Sequence, residues 1–216
     1  FAEETKEYLV GIKREAFVRG LDICATATGG NFADADETKR SEQIDKIKEW
    51  IEISAILGST ALRVFAGGCP EGVEPAFARK WVTDGLAECA PKAESEGVIL
   101  ALENHGGLTA DAAGTLALIE PFAANPWVQL NLDFGNFTGD NYGQYAACAP
   151  YAATTHTKLT VRQGDGREPV DYRRVVRLMR EAGYSGYLNI EYEEKEPPVP
   201  YVERFASYLR GCIADA

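Results

Sequence analysis

A chain of 216 residues can bury a sizeable core, and its formal net charge of −11 argues against a nucleic-acid surface, which needs a basic patch to meet phosphates. Hydrophobic residues make up 45% and charged ones 25%, an ordinary balance for a globular protein, and no run of about eighteen apolar residues offers a membrane span. The five cysteines, Cys24, Cys69, Cys89, Cys148 and Cys212, are odd in number and far apart, with no CxxC pair. That pattern speaks for reduced thiols in a cytoplasmic compartment rather than a disulfide framework.

In chain order, a helical pattern over about Glu3 to Arg19 precedes a first strand at Leu21 to Ala25 and a glycine-containing loop. A helix is predicted from about Lys39 to Leu57, with Ile44, Ile47, Trp50 and Ile51 at helical spacing. A second strand, Ala61 to Ala66, opens into GGCPEG, and Pro75 starts a helix reaching about Glu96. The strand Val98 to Glu103 follows, then a helix at Thr109 to Phe122 and the strand VQLNLD ending at Asp133. A short helix around Tyr142 to Ala149 leads to the strand ATTHTKL, a polar loop VRQGDGREP, and a helix that Asp171 can start and Gly183 can end. The strand YLNIE and a last helix over about Pro200 to Cys212 complete a count of six strands and seven helices.

Strict strand–helix alternation implies a parallel sheet with helical crossovers in a single domain covering 1–216. Parallel α/β folds place chemistry at the carboxyl ends of their strands, and four consecutive strands end in metal-type ligands: Glu103, Asp133, His156 and Glu191. The gaps between them are 30, 23 and 35 residues, each close to one βαβ repeat. A one-domain barrel of eight strands takes about 250 residues, so two strands and a helix are missing from the start of this pattern.

At ENHGG, LDFGN, HTK and NIE the chain resembles the xylose isomerase-like (β/α)8 TIM barrels, the sugar phosphate isomerase/epimerase superfamily with its AP endonuclease family 2-like members. The resemblance covers essentially the whole chain and implies a barrel lacking its first two strands. It further implies one divalent metal ion held by Glu103, Asp133, His156 and Glu191, with Glu103 and Glu191 as the two catalytic bases. Three carboxylates and an imidazole suit Mn²⁺, Mg²⁺ or Co²⁺, and Zn²⁺ also accepts these donors. The implied reaction is isomerisation or epimerisation of a sugar or keto-polyol through an enediolate, formed by proton abstraction beside a metal-polarised carbonyl. One departure is Asn136, where many members carry a histidine three residues after the aspartate. Endonuclease IV relatives use a histidine-rich trinuclear zinc site, and two histidines on an acidic chain do not fit that branch.

His105, Asn136, Lys158 and Arg63 are the substrate-binding candidates, although Lys158 can instead pair with a ligating carboxylate and Arg63 can equally form a structural ion pair. Arg162 and Arg167 could meet a phosphate, with a solvated loop the favoured alternative, and Phe32, Phe134, Phe137 and Trp81 could wall a sugar pocket, with core packing the favoured alternative for Trp81. Rival readings on the same scaffold are a lyase of the inosose or dehydroshikimate dehydratase type and a non-catalytic carbohydrate-binding relative. The expected partner is a small sugar or polyol, with neither nucleic acid nor membrane. Two open sheet edges, at the Leu21 and Glu191 strands, point to a fragment of a longer polypeptide or to completion by another chain in a homo-oligomer.

Overall fold

The structure, a computed structural model, describes residues 5–163 and 166–216, without the side chains of Arg162 and Gln163. Helix α1 (Lys6–Val18) starts where the Thr5 hydroxyl accepts from the Tyr8 amide. Strand β1 (Thr26–Ala27), helix α2 (Glu37–Leu57), strand β2 (Ala61–Val64), helix α3 (Pro75–Glu96) and strand β3 (Ile99–Glu103) follow. The chain continues through α4 (Ala112–Ile119), β4 (Val128–Asp133), α5 (Asn141–Cys148), β5 (Ala152–Thr157), the hairpin β6 (Thr160–Gln163) and β7 (Gly166–Pro169), α6 (Tyr172–Glu181), β8 (Asn189–Ile190) and α7 (Pro198–Asp215). Helix starts are set by local chemistry: Asp36, Asp111, Asp140 and Asp171 each accept from backbone amides of the first turn. Gly58 and Gly97, at φ of 80° and 68°, end α2 and α3 in the left-handed conformation.

Six strands form one curled parallel sheet in the order β1-β2-β3-β4-β5-β8, a half-barrel of the α/β TIM type with helices outside. Register sets what meets what. Glu103 lies beside Asn131, Asp133 beside His156, and His156 beside Asn189, so their side chains point to the same concave face. The alternate residues Leu100, Leu102, Leu130 and Leu132 face the helices and are fully buried. Truncating one of them to alanine costs about 2–5 kcal/mol by loss of contacts and cavity formation.

Two expectations need correction. The first strand does not run from Leu21 to Ala25; only Thr26–Ala27 pair with β2, and Leu21 is exposed. A two-residue edge strand is selected by the register of its neighbour, which hydrophobicity alone does not reveal. The polar loop after β5 is in part the antiparallel hairpin of β6 and β7, steadied by Arg167, whose Nε donates to the Thr160 hydroxyl at 2.7 Å. Arg167 is thus committed to the hairpin, and the Arg162 side chain lies outside the described residues. The sheet is open where the sequence implies it: β1 and β8 form no ladder with each other among the described residues, although their flanks meet through side chains. Cys24 Sγ stands 3.1 Å from Asn189 Oδ1, and the Tyr187 hydroxyl 3.2 Å from Asp22 Oδ2.

Candidate metal centre

Four ligand atoms, one each from Glu103, Asp133, His156 and Glu191, lie within 4.8 Å of one another at the carboxyl end of the sheet. The first three come from β3, β4 and β5; Glu191 stands one residue beyond β8, its amide bonded to Thr157 O at 3.0 Å. His156 Nδ1 is 3.2 Å from Glu191 Oε2, 3.5 Å from Glu103 Oε2 and 3.7 Å from Asp133 Oδ2. Asp133 Oδ2, Glu191 Oε2 and His156 Nδ1 are all buried atoms without a hydrogen-bond partner. Buried polar atoms are ordinarily satisfied. Two oxygens and a nitrogen converging unsatisfied on one point, with Glu103 Oε2 3.5 Å from that nitrogen, form a donor set that fits a divalent cation.

The electrostatics agree. Burial works to lower the His156 pKa, but Asp133, Glu103 and Glu191 around the ring outweigh it and push it up to about 11. Glu191 falls to about 2, chiefly through its 3.2 Å contact with His156 and, against burial, the charges of His156 and Lys158. Burial raises Asp133, aided by the Glu103 charge and opposed by His156 and Lys158. These shifts record a cluster of negative charge that recruits whatever positive charge lies within reach.

Glu103 is held from three directions. Asn131 Nδ2 donates to its Oε2 at 3.2 Å, Asn136 Nδ2 donates to its Oε1 at 3.3 Å, and Arg63 Nε stands 3.0 Å from Oε2. Arg63 also donates to Thr28 O at 3.1 Å and lies over the Phe65 ring at 4.1 Å. Lys158 is buried, with Nζ 3.2 Å from Asp133 Oδ2, 3.2 Å from Glu191 Oε2 and 3.0 Å from Glu193 Oε2. It donates to Asn136 Oδ1 at 3.3 Å, which orients that amide so that its NH₂ faces Glu103. Burial alone would lower the Lys158 pKa, but Asp133, Glu193 and Glu191 raise it. Lys158, Asn136 and Arg63 therefore touch the clustered carboxylates directly, whereas His105 is exposed and stands apart, its ring 4.5 Å from Phe65.

The main chain beneath is locked by Asn104, whose Oδ1 accepts from the Asp133 amide at 2.7 Å while its Nδ2 donates to Asp133 O at 3.0 Å. Asn104, Asn131 and Glu193 were not singled out from the sequence. Asn131 shares strand parity with Asp133, a signal that could have found it. The aromatic wall does not form as expected. Phe134 and Phe137 are fully buried against Tyr145, and Phe32 is buried with its ring where a Cβ on Gly85 would stand 2.5 Å away. Each lies just past or between strand ends, where loop geometry rather than strand parity aims the side chain. Trp81 is half-buried and carries Arg40 over its ring at 4.4 Å, a packing role.

A half-barrel of parallel strands with a carboxylate–imidazole cluster at their carboxyl ends defines an α/β barrel protein with a metal-type centre. The chain belongs to the xylose isomerase-like TIM barrel family, whose model matches residues 2–212. Its fold is similar to that of 3-keto-D-glucoside 4-epimerase YcjR from E. coli, at 21% identity and a TM-score of 0.76 over 96% of this chain and 87% of that one. D-psicose 3-epimerase from Clostridium cellulolyticum H10, crystallised with D-tagatose, is similar at 14% identity and a TM-score of 0.79 over 97% and 84% of the two chains. A xylose isomerase-like TIM barrel protein from Mycobacterium smegmatis in complex with magnesium gives 18% identity and a TM-score of 0.75 over 94% and 76%. No curated protein matches the chain in sequence. No helix among the described residues is long and apolar enough to cross a membrane.

Proposed function

We propose that this protein is a divalent-metal-dependent isomerase or epimerase of a sugar or keto-polyol, moving a proton at the carbon beside a carbonyl. The observation that carries the reading is the convergence of two glutamates, Glu103 and Glu191, with Asp133 and His156 at one point. Solved relatives with this fold include epimerases of D-psicose and of 3-keto-D-glucosides, which supports the choice of reaction class. Glu103, Asp133, His156 and Glu191 would hold Mn²⁺, Mg²⁺, Co²⁺ or Zn²⁺, and the ion when bound would supply Lewis-acid polarisation of a carbonyl oxygen.

The chain's own residues divide the remaining work. Glu103, with its side chain 2% exposed, is fixed by Asn131, Asn136 and Arg63, so its carboxylate is aimed before substrate arrives. Glu191, 32% exposed, is open to solvent on one side and tethered by Lys158 on the other. One glutamate takes the proton from the substrate C–H, leaving the electron pair on the substrate. The other returns a proton to the adjacent position or the opposite face, which balances the reaction without a redox partner. Arg63 and Lys158 place two positive charges beside the carboxylates, offsetting the negative charge that develops on the substrate.

The test is incubation of Mn²⁺-loaded protein with a panel of ketoses and inosose in D₂O. Deuterium incorporation without loss of water is expected, and Glu191→Gln is expected to retain metal while losing about 10²–10⁴-fold in turnover. Loss of water would transfer the protein to the lyases, and full turnover by the Glu191→Gln variant would overturn the two-base scheme.

A further inference from the structure

Past the carboxyl ends of β2 and β3, and lined by none of the four clustered residues, is a cavity of about 320 Å³ bounded by Gly30, Phe65, Ala66, Gly67, Gly68, and the loop from His105 to Thr109. Its floor exists because three loops pack without side chains. Gly67 O accepts from the Leu108 amide at 3.1 Å, and a Cβ on Gly67 (φ 93°) would stand 1.9 Å from Asn31 Oδ1. One on Gly107 would stand 2.7 Å from Gly67 O. The wall is the Phe65–His105 pair, centroids 4.5 Å apart and tilted by 44°. The Thr109 hydroxyl is turned to the backbone, donating toward Glu103 O and accepting from the His105 amide.

Among the described residues, no lysine, arginine or carboxylate lines the cavity. The guanidinium of Arg63, which lies over the Phe65 ring, is committed to that ring, to Thr28 O and to Glu103. A phosphate or carboxylate entering this space would lose hydration and gain no fixed cation, on a chain that already carries −11. An uncharged polyol would not meet that penalty. Its C–H faces suit an aromatic wall, whose π-cloud is negative, and its hydroxyls suit an imidazole and glycine backbone groups.

We infer that this cavity is a subsite for the non-reacting end of the substrate, and that this end is an uncharged sugar or polyol unit. The inference rests on the reaction class proposed above and specifies which members of that class fit. The Phe65–His105 wall selects the substrate, while Glu103 and Glu191 act on it.

The experiment is calorimetric titration of the Mn²⁺-loaded protein with D-fructose, D-tagatose and their 6-phosphates, with metal content measured on each sample. The uncharged ketoses are expected to bind more tightly than their 6-phosphates. Phe65→Leu and His105→Ala are each expected to weaken that binding about three- to tenfold at unchanged metal content. Phe65→Leu keeps an apolar side chain of similar size, so it separates loss of the aromatic face from loss of fold. Tighter binding of a 6-phosphate, wild-type binding by both variants, or no binding of either uncharged ketose below about 10 mM would overturn the inference. Deuterium exchange on the same samples separates the two readings. Binding of the uncharged ketoses without exchange would break the proposed reaction and leave the subsite, and exchange confined to a 6-phosphate would do the reverse.

Discussion

Replacing Lys158 by methionine removes one charge and keeps an unbranched stem of similar length against Gly135. The lysine ammonium is buried and lies 3.2 Å from both Asp133 and Glu191. At an effective dielectric of about 20, each such pair is worth on the order of 5 kcal/mol of Coulomb energy, and desolvation of the ammonium cancels several kcal/mol of the sum. The contact to Glu193, whose side chain is 48% exposed, adds little because solvent screens it. The net expectation is a loss of about 3–5 kcal/mol, the range for breaking a buried ion pair from one side. Against a total stability of about 5–15 kcal/mol that is a large fraction. The assay is urea unfolding in the presence of a chelator, followed by fluorescence of Trp50, Trp81 and Trp127. The midpoint is expected to fall with the slope unchanged. Added Mn²⁺ is expected to restore more stability to the variant than to the wild type, because the cation no longer meets the repulsion of the ammonium. A variant within 1 kcal/mol of wild type in chelator would mean that Lys158 is not the counter-ion of this cluster.

Three further expectations follow from the same geometry. His156→Ala should lower divalent-metal content at least tenfold by elemental analysis after dialysis, since it removes the nitrogen that faces all three carboxylates; unchanged stoichiometry would reject the ligand set. Gly135→Ala should destabilise by about 1–3 kcal/mol and loosen metal binding, because the new Cβ would stand 2.4 Å from Lys158 Cδ and 3.1 Å from its Cβ and Cγ; a melting temperature equal to wild type would contradict this. Among the thiols, exposed Cys69 should be alkylated first by iodoacetamide at pH 8. Burial pushes Cys89 and Cys148 up to about 12. A thiol with that pKa is only about one part in ten thousand thiolate at pH 8. Mass spectrometry finding Cys89 modified before Cys69 would sink that ordering.

The sequence by itself determined the alternation of strands and helices, the parallel sheet, and the strand ends that carry Glu103, Asp133, His156 and Glu191. These are local properties. Helix periodicity, aspartate caps and the spacing of one repeat are written within about thirty residues, and strand parity tells which face a residue takes. Parity does not tell which residue it meets. The stagger between neighbouring strands places Asn131 beside Glu103 and Asp133 beside His156, and that stagger exists only once the sheet is assembled. The same holds for Arg63 and Lys158, whose long side chains could have faced a substrate and instead end on the carboxylates of other strands. Tertiary structure also moved β1 to Thr26–Ala27, made a hairpin of a polar loop, and turned Phe134 and Phe137 into the core. In each case the deciding interaction joins residues distant in the chain: a neighbouring strand's unpaired backbone, or the space left between helices. Neither is encoded in the segment that responds to it.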